Sequence, residues 1–266
     1  MWWVLGSQLA LAQDPAVRLV LVGDTGKDTL ISPVVSSAIV GEMTRSPTAQ
    51  LVALGDLFYV QPPADQADCA AQVAARYRSF FGTMPAGRTH AVAGNHDVAT
   101  PETHLYSPEA HACSQAAFRD LGWLGPDESL ATRTRQVDAG GLSVDLVLVE
   151  GLMFREDHPP LPDLRQGADW QIVATHYLLA ASFGKDAEEI GQFYGLPVGH
   201  VPDLWVNGHA HQLEGRATER TFAVTSGAGM QMRTFGGWVA KGPSAFAWVR
   251  CDKDRPAWCD RQAAHG

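Results

Sequence analysis

No apolar run in this sequence reaches the roughly 20 residues a helix needs to cross a membrane, and the apolar segment Met1 to Ala12 is far shorter. None of the four cysteines forms a CxxC pair, which argues against a zinc knuckle or a thioredoxin-like motif. Positive charge is scarce. Lys and Arg number 20 against 29 Asp and Glu, for a formal charge of -9. This excludes a protein whose main task is coating nucleic acid, because that task needs clustered Lys and Arg. No partner nucleic acid is expected, and attraction for an anionic substrate has to be local, from bound cations rather than the surface field. Low-complexity tracts, a disordered tail and internal repeats are also missing.

What is present describes a loop-rich globular protein: 45% hydrophobic residues, with 26 Gly and 16 Pro spread over 266 residues. Residues Met1 to Ala12 end in Ala10-Leu11-Ala12, a small-x-small pattern, and polar Gln13-Asp14-Pro15 follows at once. Residues 1–14 therefore read as a clipped export signal, without a preceding Lys or Arg, or as an N-terminal arm. Residues 15–266 read as one catalytic domain, and the expected location is periplasmic or secreted. Cys69, Cys113, Cys251 and Cys259 allow three disulfide connectivities. Closure of local loops favours Cys69 with Cys113 and Cys251 with Cys259.

Short β-branched runs end in polar, glycine-containing turns at Arg18 to Val22, Gln50 to Leu54, His90 to Ala93, Val144 to Val149, Gln171 to Ala174 and Leu204 to Val206. They predict buried strands. Helices are expected near Pro33 to Thr44, Gln66 to Phe81 and Ala187 to Tyr194, which gives the alternation of an α/β protein. Later strands near Thr221 to Thr225 and Ala245 to Arg250 lack intervening helices and suggest a mixed second sheet. Asp24, Asp56, Asn95, His96, His176 and His209 all follow predicted strands. In open α/β sheets such strand ends line the ligand crevice, so distant residues can meet there.

Five segments carry the chemistry: Gly23-Asp24-Thr25-Gly26, Gly55-Asp56-Leu57-Phe58-Tyr59, Gly94-Asn95-His96-Asp97, Val173-Ala174-Thr175-His176 and Gly208-His209-Ala210-His211. Singly each is weak; a GHxH arises by accident in on the order of one chain in a hundred of this length. All five in order, each at a strand end, resemble the calcineurin-like metallophosphoesterases, and specifically their small, tartrate-resistant purple acid phosphatase branch. The resemblance spans Arg18 to Met232. It implies a four-layer α-β-β-α sandwich with two mixed β-sheets. It also implies two metal ions: one held by Asp24, Asp56, Tyr59 and His211, the other by Asp56, Asn95, His176 and His209, with Asp56 bridging.

Oxygen and nitrogen donors of this kind suit iron, zinc or manganese better than copper(I) or calcium. Two carboxylates and a phenolate in the first set, against a shared carboxylate, an amide and two imidazoles in the second, favour Fe(III) beside Fe(II), Zn(II) or Mn(II). A free tyrosine has a pKa of about 10, so phenolate binding in acid calls for a strongly acidic ion. A metal-bound hydroxide is then the expected nucleophile in hydrolysis of a small phosphorylated substrate, a phosphate monoester. His96 would contact the phosphate with Asn95 and protonate the leaving alkoxide, and Asp97 would orient the His96 ring.

Taken alone, Asp24 and Asp56 would read as turn or capping residues, Tyr59 as a core aromatic and His176 as a buried structural histidine. Their order along the chain outweighs those readings. The sequence departs from the small purple acid phosphatases at Lys185, which stands where they carry a second catalytic histidine; it is a substrate-binding candidate and also reads as a solvated charge. No substrate-recognition residue of the family matches Pro101 to Leu130. Other outcomes on the same core are phosphodiester or nucleotide hydrolysis, or a weakly catalytic metal- or phosphate-binding protein.

Overall fold

The computed structural model describes residues 16–26, 32–59, 66–82, 84–99, 106–139, 141–150, 167–177, 202–211, 213–217, 222–226, 247–252 and 259–263. In chain order the elements are β1 (Ala16–Val22), α1 (Ser32–Arg45), β2 (Ala49–Leu54), α2 (Gln66–Phe81), β3 (Thr89–Val92), α3 (Asn95–Val98), α4 (Pro108–Asp120), β4 (Arg133–Ala139), β5 (Leu142–Val149), β6 (Trp170–Thr175), β7 (Leu204–Asn207), β8 (Leu213–Ala217), β9 (Phe222–Ser226), β10 (Ala247–Asp252) and β11 (Cys259–Ala263). One sheet runs β11-β10-β1-β2-β3 and the other β4-β5-β6-β7-β9-β8. Both are mixed. The centre of each is parallel, β1-β2-β3 in one and β5-β6-β7-β9 in the other, with antiparallel strands outside.

Parallel strands covered on both faces need apolar residues at consecutive positions, which is why the strand runs are continuous rather than alternating. On β1 and β2, Leu19, Leu21, Val52 and Leu54 point inward. There they meet Leu146, Leu148, Ile172 and Val206 of the other sheet. The opposite side chains, Val20, Val22, Leu51 and Ala53, pack under α1, α2 and α4 through Val35, Ile39, Tyr77, Phe81 and Phe118. Val147, Val173 and Trp205, on the outer face of the second sheet, are buried as well.

The helices at Pro33 to Thr44 and Gln66 to Phe81 form as expected, while the one at Ala187 to Tyr194 falls outside the described residues. Three strands fall outside the expected set: β4, β8 and β11, the last paired with β10. β4 has the polar sequence Arg-Thr-Arg-Gln-Val-Asp-Ala and exists because it pairs with β5 along its whole length. β8 likewise pairs with β9. β10, expected with β9 in the second sheet, instead returns to the first and pairs with β1. Helix α4 was also missed, although Ser107 caps it by accepting from the Ala110 amide at 3.2 Å and Pro108 occupies its first turn. A Ser-Pro pair is a recognisable start signal.

Cys69 on α2 and Cys113 on α4 form a disulfide as expected. Backbone register sets Cys251 opposite Cys259 across β10 and β11; their side chains lie outside the description. The Cys69–Cys113 bridge spans 44 residues, for which the chain-entropy model gives about 4 kcal/mol of stabilisation. Replacing both cysteines by serine is expected to lower the unfolding free energy by about 2–4 kcal/mol, read from urea denaturation. An unchanged midpoint would show that the helix packing alone holds α2 against α4.

Candidate metal centre

The strands β1, β2, β3, β6 and β7 end in turns that carry Asp24, Asp56, Asn95 with His96, His176, and His209 with His211. The turns are laced together by backbone bonds. The Asp24 amide donates to the Gly55 carbonyl at 2.9 Å, the Gly26 amide to the Asp56 carbonyl at 3.0 Å, and the Gly208 amide to the His176 carbonyl at 3.1 Å. Ser226, at the end of β9, donates to the Leu21 carbonyl at 2.9 Å and so ties the second sheet to β1.

Among the described residues, the non-glycine residues with positive φ are Asp24 (58°), Asp56 (51°), His209 (69°) and His211 (51°). Left-handed backbone at such residues costs of order 1–3 kcal/mol each and persists where the surroundings impose it. All four belong to the expected ligand set. Glycine is equally constrained here. A Cβ on Gly94 would lie 2.3 Å from both the Asp56 amide nitrogen and Asp56 Oδ1, and one on Gly26 would lie 2.3 Å from the Tyr59 ring. At Gly26 and Gly94 a neighbouring expected ligand occupies the space a side chain would need.

Two donor groups result, Asp24 with Asp56 and His211, and Asp56 with His176 and His209, and Asp56 belongs to both. In the first, Tyr59 Oη lies 3.3 Å from Asp24 Oδ1, 3.1 Å from Asp56 Oδ2 and 3.2 Å from His211 Nε2, and His211 Nε2 is 3.1 Å from Asp24 Oδ1. In the second, His176 Nε2 lies 3.2 Å from Asn95 Oδ1, 3.2 Å from His209 Nδ1 and 3.3 Å from Asp56 Oδ1. Thus one carboxylate turns an oxygen toward each group. The fold thus brings Asp24, Asp56, Tyr59, Asn95, His176, His209 and His211 together.

Donors and acceptors are crowded in this arrangement. The Tyr59 hydroxyl has one hydrogen for three polar neighbours. His176 Nδ1, 2.7 Å from the Leu54 carbonyl, must carry a hydrogen because a carbonyl only accepts; that leaves the Nε2 lone pair of the neutral ring aimed into the cluster. A cation fits the spacing. Bonds of about 2.1 Å place adjacent ligand atoms about 3.0 Å apart in octahedral and about 3.4 Å apart in tetrahedral geometry, and the observed separations lie between these values.

Electrostatics point the same way. Asp24 and Asp56 are buried. Burial pushes the Asp24 carboxyl up against the opposing pull of His211 and His176. Burial also acts to raise Asp56, but the charge and hydrogen bond of His176 outweigh it and hold that carboxyl well below the usual range. Burial, then the Asp56 and Asp24 charges, lift the Tyr59 phenol far above its ordinary value. His176 is pushed up to about 9, because the Asp56 and Asp24 carboxylates overcome its burial. His209 falls to about 4 through burial and the nearby His176.

Asp97 corrects an expectation. It was read as orienting the His96 ring, yet its carboxylate accepts from the backbone amides of Gly94 at 2.8 Å and Leu57 at 3.0 Å. Two unsatisfied amides at the turns are stronger claimants for a buried carboxylate than a half-exposed ring. His96 is placed by its own amide, which donates to Asp56 Oδ1 at 2.9 Å, and its ring lies against Tyr59 with centroids 4.3 Å apart. Lys185 lies outside the described residues. Tyr177, which sequence reasoning missed, packs its ring 4.9 Å from that of His209 and 5.4 Å from that of His176; adjacency to His176 was its only signal. A separate cavity of about 810 Å³, lined in part by Gln50, Arg88, His90 and Arg135, opens beside the starts of β2 and β3, at the opposite end of these strands from the ligand turns.

A family model, calcineurin-like phosphoesterase, matches residues 12–213. The chain belongs to the calcineurin-like phosphoesterase family. Members typically bind two metal ions, in keeping with the two donor groups. No curated protein sequence matches this phosphoesterase. Among solved structures it resembles GAP50, the anchor in the inner membrane complex of Plasmodium, with a TM-score of 0.57 at 11% identity, covering 95% of this chain and 89% of that one. It also resembles a purple acid phosphatase from yellow lupin (Lupinus luteus) seeds, with a TM-score of 0.55 at 16% identity, covering 91% of this chain and 50% of the other. At these identities the likeness concerns the fold, and this phosphoesterase spans half the length of the lupin enzyme. Among the described residues no helix is long and apolar enough to cross a membrane.

A cation must displace the proton that Asp56 and Asp24 hold on His176. Because that proton is bound up to about pH 9, apparent metal affinity should rise with pH, approaching tenfold per unit below about 9, and level off above it. Calorimetric titrations between pH 6.5 and 9 check this. An affinity independent of pH would exclude His176 as a ligand in the protonation state assigned here.

Proposed function

We propose that this chain is a binuclear-metal phosphoesterase of purple acid phosphatase type that hydrolyses phosphate monoesters. The observation that carries the reading is Tyr59 Oη, 3.1–3.3 Å from two carboxylates and an imidazole nitrogen. Asp24, Asp56, Tyr59 and His211 would hold one ion, and Asp56, Asn95, His176 and His209 the other. The carboxylates that raise the phenol's pKa without a metal also attract the cation that reverses that shift. An ion strong enough to hold Tyr59 as phenolate in acid is Fe(III), beside a less charged Fe(II), Zn(II) or Mn(II).

When bound, the ion pair supplies positive charge that polarises the phosphate ester and makes a water nucleophilic. The residues supply position and protons. Asp56 keeps the two donor groups together, while Leu54 holds His176 in the ligating tautomer through its carbonyl. The His96 ring, resting on Tyr59, is placed to bind a phosphate oxygen. As the ester P–O bond breaks, a proton from His96 passes to the departing alkoxide and the water oxygen remains on phosphorus. Asn95 would share the phosphate contact, and Lys185 would add a point charge. The Cys69–Cys113 disulfide supports an oxidising, exported setting.

Replacing Tyr59 by Phe should abolish a visible charge-transfer band while elemental analysis still finds metal; a colourless wild type with two bound ions would remove the purple acid phosphatase assignment. The variant His96→Ala should lose on the order of 10²–10⁴ in kcat on an alkyl phosphate with metal content unchanged. Loss should be smaller on a nitrophenyl ester, whose leaving group needs no proton. Equal losses on both esters would place His96 outside proton transfer. Parallel assays on a diester and a pyrophosphate test the preference for monoesters.

A further inference from the structure

We infer that Asp97 is a positioning residue that sets the distance between the turns bearing the two sets of ligands, an inference that rests on the two-metal reading above. Strands β2 and β3 pair only as far as Leu54 with Val92. Beyond that register the chains run on into Gly55-Asp56-Leu57 and Gly94-Asn95-His96, and ladder bonds no longer hold them together. Asp97 takes over that task. Its Oδ1 accepts from the Leu57 amide at 3.0 Å and its Oδ2 from the Gly94 amide at 2.8 Å. Leu57 directly follows the shared ligand Asp56, and Gly94 directly precedes Asn95. A single planar carboxylate therefore bridges the two turns from behind, while on the front Asp56 Oδ1 accepts from the His96 amide.

The bridge is anchored at its back. Tyr77 of α2 approaches Asp97 Oδ1 with its hydroxyl at 3.4 Å, and Ser114 of α4 donates to the Asp97 carbonyl at 2.5 Å. These two helices are the pair joined by Cys69–Cys113. The Tyr77 ring stacks on Trp123 at 5.5 Å and leans on Phe118 at 5.4 Å. Asp97 is 2% exposed, so water cannot substitute for it. Outer partners of metal ligands commonly govern affinity by 10–100-fold when altered, and Asp97 acts on both ligand turns at once.

The Leu57 and Gly94 amides face Asp97 rather than a backbone acceptor, so their hydrogen exchange reads the bridge directly. In the metal-free wild type both should be protected like amides of the β2–β3 ladder; rapid exchange at both would overturn the inference whether or not metals bind. In Asp97→Asn the amide group offers a donor to one of two donors, so exchange at Leu57 and Gly94 should accelerate together. Affinity for Zn(II) or Mn(II) should fall roughly 10–100-fold, and the limb that proton donation by His96 would give the pH profile of kcat should keep its midpoint. Unchanged metal affinity, or a shifted limb with both metals retained, would return Asp97 to service of His96 and refute positioning. If Asp97→Asn fails to fold, Tyr77→Phe, which removes one contact to Oδ1, should raise exchange at Leu57 by a smaller factor; no change there refutes the anchoring. A wild type that binds no metal pair would sink the proposed function, whereas the exchange result judges the bridge separately.

Discussion

The Asp56 carboxylate stands at the junction of everything else in this molecule. One oxygen faces Tyr59, the other faces His176 and the His96 amide, and the residue belongs to both donor groups. Burying such a charge is costly unless it is paired. Here the pairing draws in residues from both sheets, so the need to satisfy one buried carboxylate binds the sandwich together at the end where its strands open into turns.

That constraint explains local features that otherwise look unfavourable. Asp24, Asp56, His209 and His211 adopt left-handed backbone, and the space beside Gly94 is filled by Asp56. Each is a small local cost offset by the continuous apolar layers on either side of the first sheet. A rigid scaffold holds strained turns; the strained turns hold polar groups closer than water would leave them. The electrostatic consequence is a set of acids and histidines whose protonation shifts in opposing directions, as expected for a site completed by cations.

Much of this was legible beforehand because it rests on residue identity. Asp24, Asp56, Tyr59, Asn95, His209 and His211 could be picked out by the glycine-framed motifs and His176 by its place after a predicted strand, and the apolar runs of β1, β2, β5 and β6 mark buried parallel strands by composition alone. The paired cysteines of α2 and α4 were also within reach. Other parts carried no local signal. The polar run Arg133–Ala139 becomes a strand because of its neighbour β5. Tyr77 looks like any core aromatic until its hydroxyl is seen beside Asp97.

Residue types and their order along the chain thus determined the family, the sandwich of strands and helices, and the polar groups that end the strands. Only the folded chain decided how those groups face one another. It gave Asp97 to two backbone amides instead of the His96 ring, and it brought β10 back beside β1 instead of joining β9. Both outcomes depend on groups far apart in sequence becoming neighbours, and a hydrogen-bonding group spends its bonds on whichever partners the packing brings within reach.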